Sequence, residues 1–85
     1  MILFWAPWSA PDRLFMPVVD AIANDYSGRV TTGKVNVDES PELARKFNIK
    51  GIPTLVFLKD GSEQERVVGL VPRKRIRDLL DKQFH

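Results

Sequence analysis

Ser9 and Asp12 are the two side chains of this sequence whose types and spacing could do chemistry. They stand three residues apart in Phe4-Trp5-Ala6-Pro7-Trp8-Ser9-Ala10-Pro11-Asp12, where an apolar run gives way to helical periodicity. The carboxyl end of a strand and the amino end of a helix are where open α/β sheets place ligands and reacting groups. A serine there is a nucleophile only with a base beside it and an oxyanion hole in front of it. The sole histidine is His85 at the far terminus, and there is no cysteine. Thiolate catalysis, disulfides and thiolate metal sites are therefore excluded, and Asp12 has no partner for general-base work. Ser9 and Asp12 read instead as a capping box, with Ser9 at the N-cap and Asp12 in the first turn, where the helix dipole favours a negative charge. His85 reads as a bare terminus or the first residue of a tag, and no metal site is expected.

The elements that must position this stretch follow from pattern. Ile2 to Ala6 is an apolar strand. Phe15, Val18, Val19, Ile22, Ala23 and Tyr26 recur at helical spacing behind Ser9, interrupted at Pro17 and closed by Ser27-Gly28. Val30 to Val37 reads as a strand, and Ser40-Pro41 opens a short helix ending near Lys46. Leu55 to Leu58 is apolar throughout, as in a strand buried on both faces. Asp60-Gly61 supplies the positive φ angles of a hairpin turn, and Arg66 to Val71 returns, with Gly69 at a bulge or a close backbone approach. Pro72 opens a last helix with Ile76, Leu79, Leu80 and Phe84 on its apolar stripe. The order predicts one domain over residues 1–85, α/β in class, with a mixed four-stranded sheet flanked by helices.

The formal charge of +2 is too small to argue for nucleic acid, and no apolar run reaches the roughly 20 residues of a membrane span. Arg73, Lys74, Arg75, Arg77 and Lys82 alternate with Asp78 and Asp81, which reads as a solvated helix face.

Several blocks together resemble the thioredoxin family: Phe-Trp-Ala-Pro-Trp before a helix, Met16-Pro17-Val18 inside it, Lys34-Val35-Asn36-Val37-Asp38, Gly51-Ile52-Pro53-Thr54-Leu55, Lys59-Asp60-Gly61 and Val68-Gly69. The resemblance covers nearly the whole chain. It implies a thioredoxin-like fold lacking the family's first strand and helix, a cytoplasmic protein, and an ancestral activity in which a protein-disulfide reductase draws electrons from a reductase. It also implies where the chemistry would sit. The family's attacking cysteine falls at Ser9, its resolving cysteine at Asp12, its buried aspartate at Leu3, and that aspartate's lysine partner at Lys34, here left without one. A hydroxyl cannot exchange with a disulfide and a carboxylate cannot resolve one. Leu3, Ser9, Ala10 and Asp12 each read as a change toward stability, which suggests a redesigned or stability-selected fragment. No cofactor is called for.

The resemblance further implies a cis Ile52–Pro53 bond facing the turn, and a groove between Trp8, Ile52, Pro53 and Gly69 that pairs with an extended peptide by β-augmentation. Trp5 reads as core and Trp8 as exposed. With the family's first strand missing, the strand over 30–37 becomes an edge and one sheet face is left open near Ile2 to Ala6 and Leu55 to Leu58. Self-association through that edge or face, most simply as a two-fold dimer, is the expected consequence.

Overall fold

The computed structural model describes residues 1–83. The expectation for Phe84 and His85 lies outside the described residues. The elements are β1 (Ile2–Trp5), α1 (Ala10–Asp25), β2 (Gly33–Asn36), α2 (Pro41–Lys46), β3 (Thr54–Lys59), β4 (Ser62–Val68) and α3 (Arg73–Gln83). One four-stranded sheet has the order β2-β1-β3-β4, with β1 and β2 parallel and the other pairs antiparallel. The mixed sheet and α/β class agree with the sequence reading.

Alternation along the strands divides the sheet into two faces. Leu3, Leu55 and Val67 stand opposite one another in register, and with Phe57 they meet α1 and α3. Phe15, Val19 and Ile22 of α1 and Ile76, Leu79 and Leu80 of α3 complete this core. Phe4 and Val56 point the other way and are also fully buried; the Phe4 ring lies 5.3 Å from that of Phe47, the residue that closes α2. The open face is therefore smaller than the sequence suggested. Ala6, Phe4 and Val56 are covered, and only Ile2 and Leu58, both half-buried, reach an open hollow of about 590 Å³ at the far end of the sheet, walled also by residues 29–33 and by Lys59 and Asp60.

Strand boundaries differ from expectation: β1 ends one residue early at Trp5, β3 extends one residue at each end, β4 stops at Val68 rather than Val71, and two further shifts are as large or larger. The strand expected over 30–37 pairs only from Gly33 to Asn36, because the parallel register sets Gly33 opposite Ile2. Val30 instead donates its N–H to the Tyr26 carbonyl, closing the turn after α1. The strand expected from Arg66 begins at Ser62, so the hairpin loop is Asp60-Gly61 with φ of 53° and 81°. Ser62 to Glu65 were missed because they are polar, and the first three are exposed, on an edge strand. The irregularity in this pair falls between Phe57 and Leu58 of β3, while Gly69 lies beyond β4 with φ of 85°.

A cluster of polar contacts joins the two helices behind the sheet. The Tyr26 hydroxyl donates to Asp81 at 2.5 Å, Arg29 stacks over the Tyr26 ring at 4.5 Å, and Arg77 bonds Asp25 at 2.5 Å. The hydrogen bond to Asp81, together with burial, holds the Tyr26 phenol above its ordinary value of 10.0, against the opposing pull of Arg77 and Arg29. A raised pKa contributes stability that is complete below pH 10 and is lost as pH climbs through the folded-state value, because the unfolded chain releases its proton first. We expect Tyr26→Phe to lower stability by about 1.5 kcal/mol near neutral pH. In urea titrations at alkaline pH it should also remove part of the decline that the unsubstituted protein shows.

Candidate functional site

The turn between β1 and α1 is organised by a buried carboxylate. Asp12 is fully buried, and its Oδ2 accepts the Ala6 N–H at 2.7 Å, tying the end of β1 to the first turn of α1. Its other oxygen, Oδ1, has no hydrogen-bond partner among the described residues. The Ser9 N–H donates to the Ala6 carbonyl at 3.2 Å, and the Arg13 guanidinium holds the Pro7 carbonyl at 3.1 and 3.3 Å. Pro11 suits the start of the helix, where the missing N–H has no partner to lose.

This arrangement corrects the capping-box reading. Ser9 sits at the N-cap with extended backbone angles, but its side chain makes no capping hydrogen bond. Asp12 does not turn back to the Ser9 N–H, because that N–H already closes the Pro7-Trp8 turn on Ala6 and the unpaired donor within reach is Ala6 itself. Ser9 is also buried. Neither side chain has a histidine or second carboxylate beside it, and among the described residues no cluster of His, Cys, Asp or Glu could hold a metal.

Leu3 is fully buried and lies opposite Lys34 in the parallel register, so the structure brings these two positions together. Lys34 is not left alone, as the sequence reading had it. Its Nζ turns outward along the same face and meets Asp20 of α1 at 2.6 Å. The pairing joins two half-exposed groups, so its contribution is small.

Beside the turn lies a hollow of about 190 Å³ lined by Trp8, Val37, Ala44, Ile49, Lys50, Gly51 and Ile52. Trp8 is 67% exposed, and its indole Nε1–H points to Asp38 Oδ1 at 3.4 Å. Trp5 is half-buried against the main core. The Ile52–Pro53 bond is cis. Thr54 Oγ1 donates to the Gly51 carbonyl at 2.5 Å and the Gly69 N–H donates to the Pro53 carbonyl at 2.7 Å, so this loop is pinned from both sides. Trp8 and Ile52 thus both line the hollow, whereas Pro53 is buried and neither it nor Gly69, which bonds it, is part of the lining. Val37, Ala44 and Ile49 were not singled out from sequence. Their apolar character before and after α2 was visible, but nothing local shows that α2 folds them toward Trp8. Val68 and Leu70 flank Gly69 with more than half of their surface exposed.

The family model described as Thioredoxin matches residues 1–82. The chain is 48% identical over 84 residues to Thioredoxin 1 of Synechococcus elongatus, spanning 99% of this chain and 78% of that protein. It is 44% identical over 84 residues to Thioredoxin 1 of a Nostoc species, with the same coverage. It is 43% identical over 82 residues to a chloroplastic M-type thioredoxin of Spinacia oleracea, spanning 96% of this chain and 45% of that protein. The chain therefore spans about half the length of the chloroplastic relatives it matches.

Removing the Asp12 carboxylate leaves the buried Ala6 N–H without a partner, whereas removing the Ser9 hydroxyl breaks no hydrogen bond. Asp12→Ala is expected to cost about 1–3 kcal/mol, and Ser9→Ala to change stability by no more than about 0.5 kcal/mol. Asp12→Asn, which keeps an oxygen for Ala6, should fall between them. Urea midpoints of the three variants check the order.

Proposed function

Because the chain belongs to the thioredoxin family and carries no cysteine, we propose that it is a redox-silent thioredoxin-fold domain whose remaining activity is binding an extended peptide in the groove beside Trp8. The observation that carries this reading is the turn itself. Ser9 and Asp12 stand where the family resemblance places thiols, and Asp12 is committed to the Ala6 N–H. Disulfide exchange proceeds by thiolate attack through a mixed disulfide, and neither residue supplies the sulfur. The groove is independent of that chemistry. Ile52 is half-buried at its edge, and its N–H and C=O face no backbone partner in the sheet, which leaves them open to pairing with an added strand. Leu3 and Ala10 support the view of a chain altered toward stability; Ser9 and Asp12 no longer do, since the capping gain is absent. For location we propose the cytoplasm or a plastid, in line with the names of the cyanobacterial and chloroplastic relatives. Among the described residues no helix is long and apolar enough to cross a membrane.

One observation favours a second reading, self-association. β2 is an outer strand of the sheet. Gly33 and Val37 direct their N–H groups to β1, so by alternation the Lys34 N–H and C=O point outward. Such an edge accepts a strand from a second copy, although its four residues and the Lys34 charge make it a poor template. Sedimentation over a range of concentrations reads this directly. A concentration-dependent mass abolished by Lys34→Pro supports an edge dimer, and a constant monomer mass excludes it.

For the redox reading, reduction of insulin by dithiothreitol should run at the same rate with and without the protein, and an acceleration would sink it. Ser9→Cys combined with Asp12→Cys should restore part of the activity. It should remain below that of the cyanobacterial relatives, because fully buried Leu3 offers no carboxylate for proton transfer.

A further inference from the structure

The start of α3 is charged against its own dipole. Arg73, Lys74 and Arg75 are exposed, and the first turn holds no acidic residue. A helix amino terminus disfavours cations. Of the three, Lys74 is paired, with Asp78 at 2.8 Å. Arg73 and Arg75 make no ion pair among the described residues. Charges set against local preference, with no internal compensation, are the kind of inconsistency that functional surfaces retain.

The position of this turn gives the charge a purpose. Arg73 follows Gly69 by four positions, and the Gly69 N–H is bonded to the Pro53 carbonyl. That length of chain spans at most about 14 Å, so the cationic turn begins within that reach of the residue that braces Pro53. Two further cations stand close to Trp8 in the structure or the chain. Lys50 lines the hollow with Trp8 and Ile52, and Arg13 spends its hydrogen bonds on the neutral Pro7 carbonyl, which leaves its charge uncompensated. Several carboxylates away from the groove are engaged: Asp20 by Lys34, Asp25 by Arg77, Glu63 by Arg66, Asp78 by Lys74 and Asp81 by Tyr26. The carboxylate bonded at the rim of the hollow is Asp38, held by the Trp8 indole. Glu39 and Glu42 lie near the start of α2, so negative ligand charge belongs on the opposite bank, toward Arg13 and α3.

We propose that the groove selects an acidic extended segment, in which an apolar residue seats against Trp8 and Ile52 and flanking Asp or Glu side chains meet Arg13, Lys50 and the Arg73–Arg75 turn. The proposal rests on the peptide-groove reading given above and specifies its ligand. Complementary charge of this kind raises the association rate and rejects wrong partners more than it adds raw affinity, and it is screened by salt.

Three short peptides sharing one apolar core, flanked by Asp, by Ser or by Lys, test it by Trp8 fluorescence and by the Ile52 amide resonance. Trp8→Phe serves to subtract the Trp5 signal. At low ionic strength the Asp-flanked peptide should bind about tenfold more tightly than the Ser-flanked one, with the gap narrowing as salt screens it. Arg73→Glu together with Arg75→Glu, folded by circular dichroism, should invert the order so that the Lys-flanked peptide is preferred. Equal binding of the Asp- and Ser-flanked peptides would overturn the acidic preference and leave the groove standing. No response of Trp8 or Ile52 to any peptide would overturn both. An oligothymidylate that binds in the same groove more tightly than the Asp-flanked peptide would reassign the cations to nucleic acid and overturn the proposal.

Discussion

The hydrogen bond from the Ala6 N–H to the Asp12 carboxylate is the constraint on which the functional end of this molecule depends. β1 lies inside the sheet, between β2 and β3, and its last N–H groups must be satisfied where the chain leaves the ladder. Asp12 meets that need from the first turn of α1, so a single side chain fixes how the helix departs from the strand. The direction of α1 then decides which of its residues reach the core, and it holds Trp8 out over the hollow. A carboxylate buried to this degree is expensive unless its oxygens are bonded. Here Oδ2 is bonded to the Ala6 N–H, and Oδ1 has no partner among the described residues.

That constraint separates the chemistry of the turn from its recognition surface. Thiol exchange needs an exposed, acidified sulfur at Ser9 and a second sulfur at Asp12. Binding an extended chain needs only an apolar wall and free backbone groups. The first requirement fails for want of two atoms. The second depends on the loop around Pro53, which is braced by Thr54 from one side and by Gly69 from the other. The absence of sulfur at Ser9 and Asp12 leaves that bracing untouched, so on the function proposed above a turn without thiols and an open groove coexist in one fold.

The differences between expectation and structure share a cause. Local pattern located the strands but not their ends, because strand ends are set by register. Val30 to Thr32 are as β-branched as their neighbours, yet they fall before the first paired position. Ser62 and Glu63 are polar, yet they pair because the hairpin places them opposite Lys59 and Leu58. Lys34 was expected to lack a partner because its neighbour across the strand is Leu3. Its partner is Asp20, fourteen positions earlier, and no sequence window joins the two. The capping box failed for a related reason: the Ser9 N–H was already engaged by Ala6, so Asp12 bonded the donor that was still free.

By itself the sequence determined the α/β class, the helical stretch behind Ser9, the Asp60-Gly61 hairpin and the absence of thiol chemistry. Each of these follows from residue identity or from a period of two or 3.6 residues, information a chain carries locally. The tertiary structure decided which side chains share a surface. It set Trp8 and Ile52 around one hollow with Val37, Ala44 and Ile49, buried Pro53 and turned Asp12 inward. These juxtapositions depend on how β1, β3 and the helices stack, because contacts between residues distant in the chain are fixed only when the sheet and its helices close on a common core.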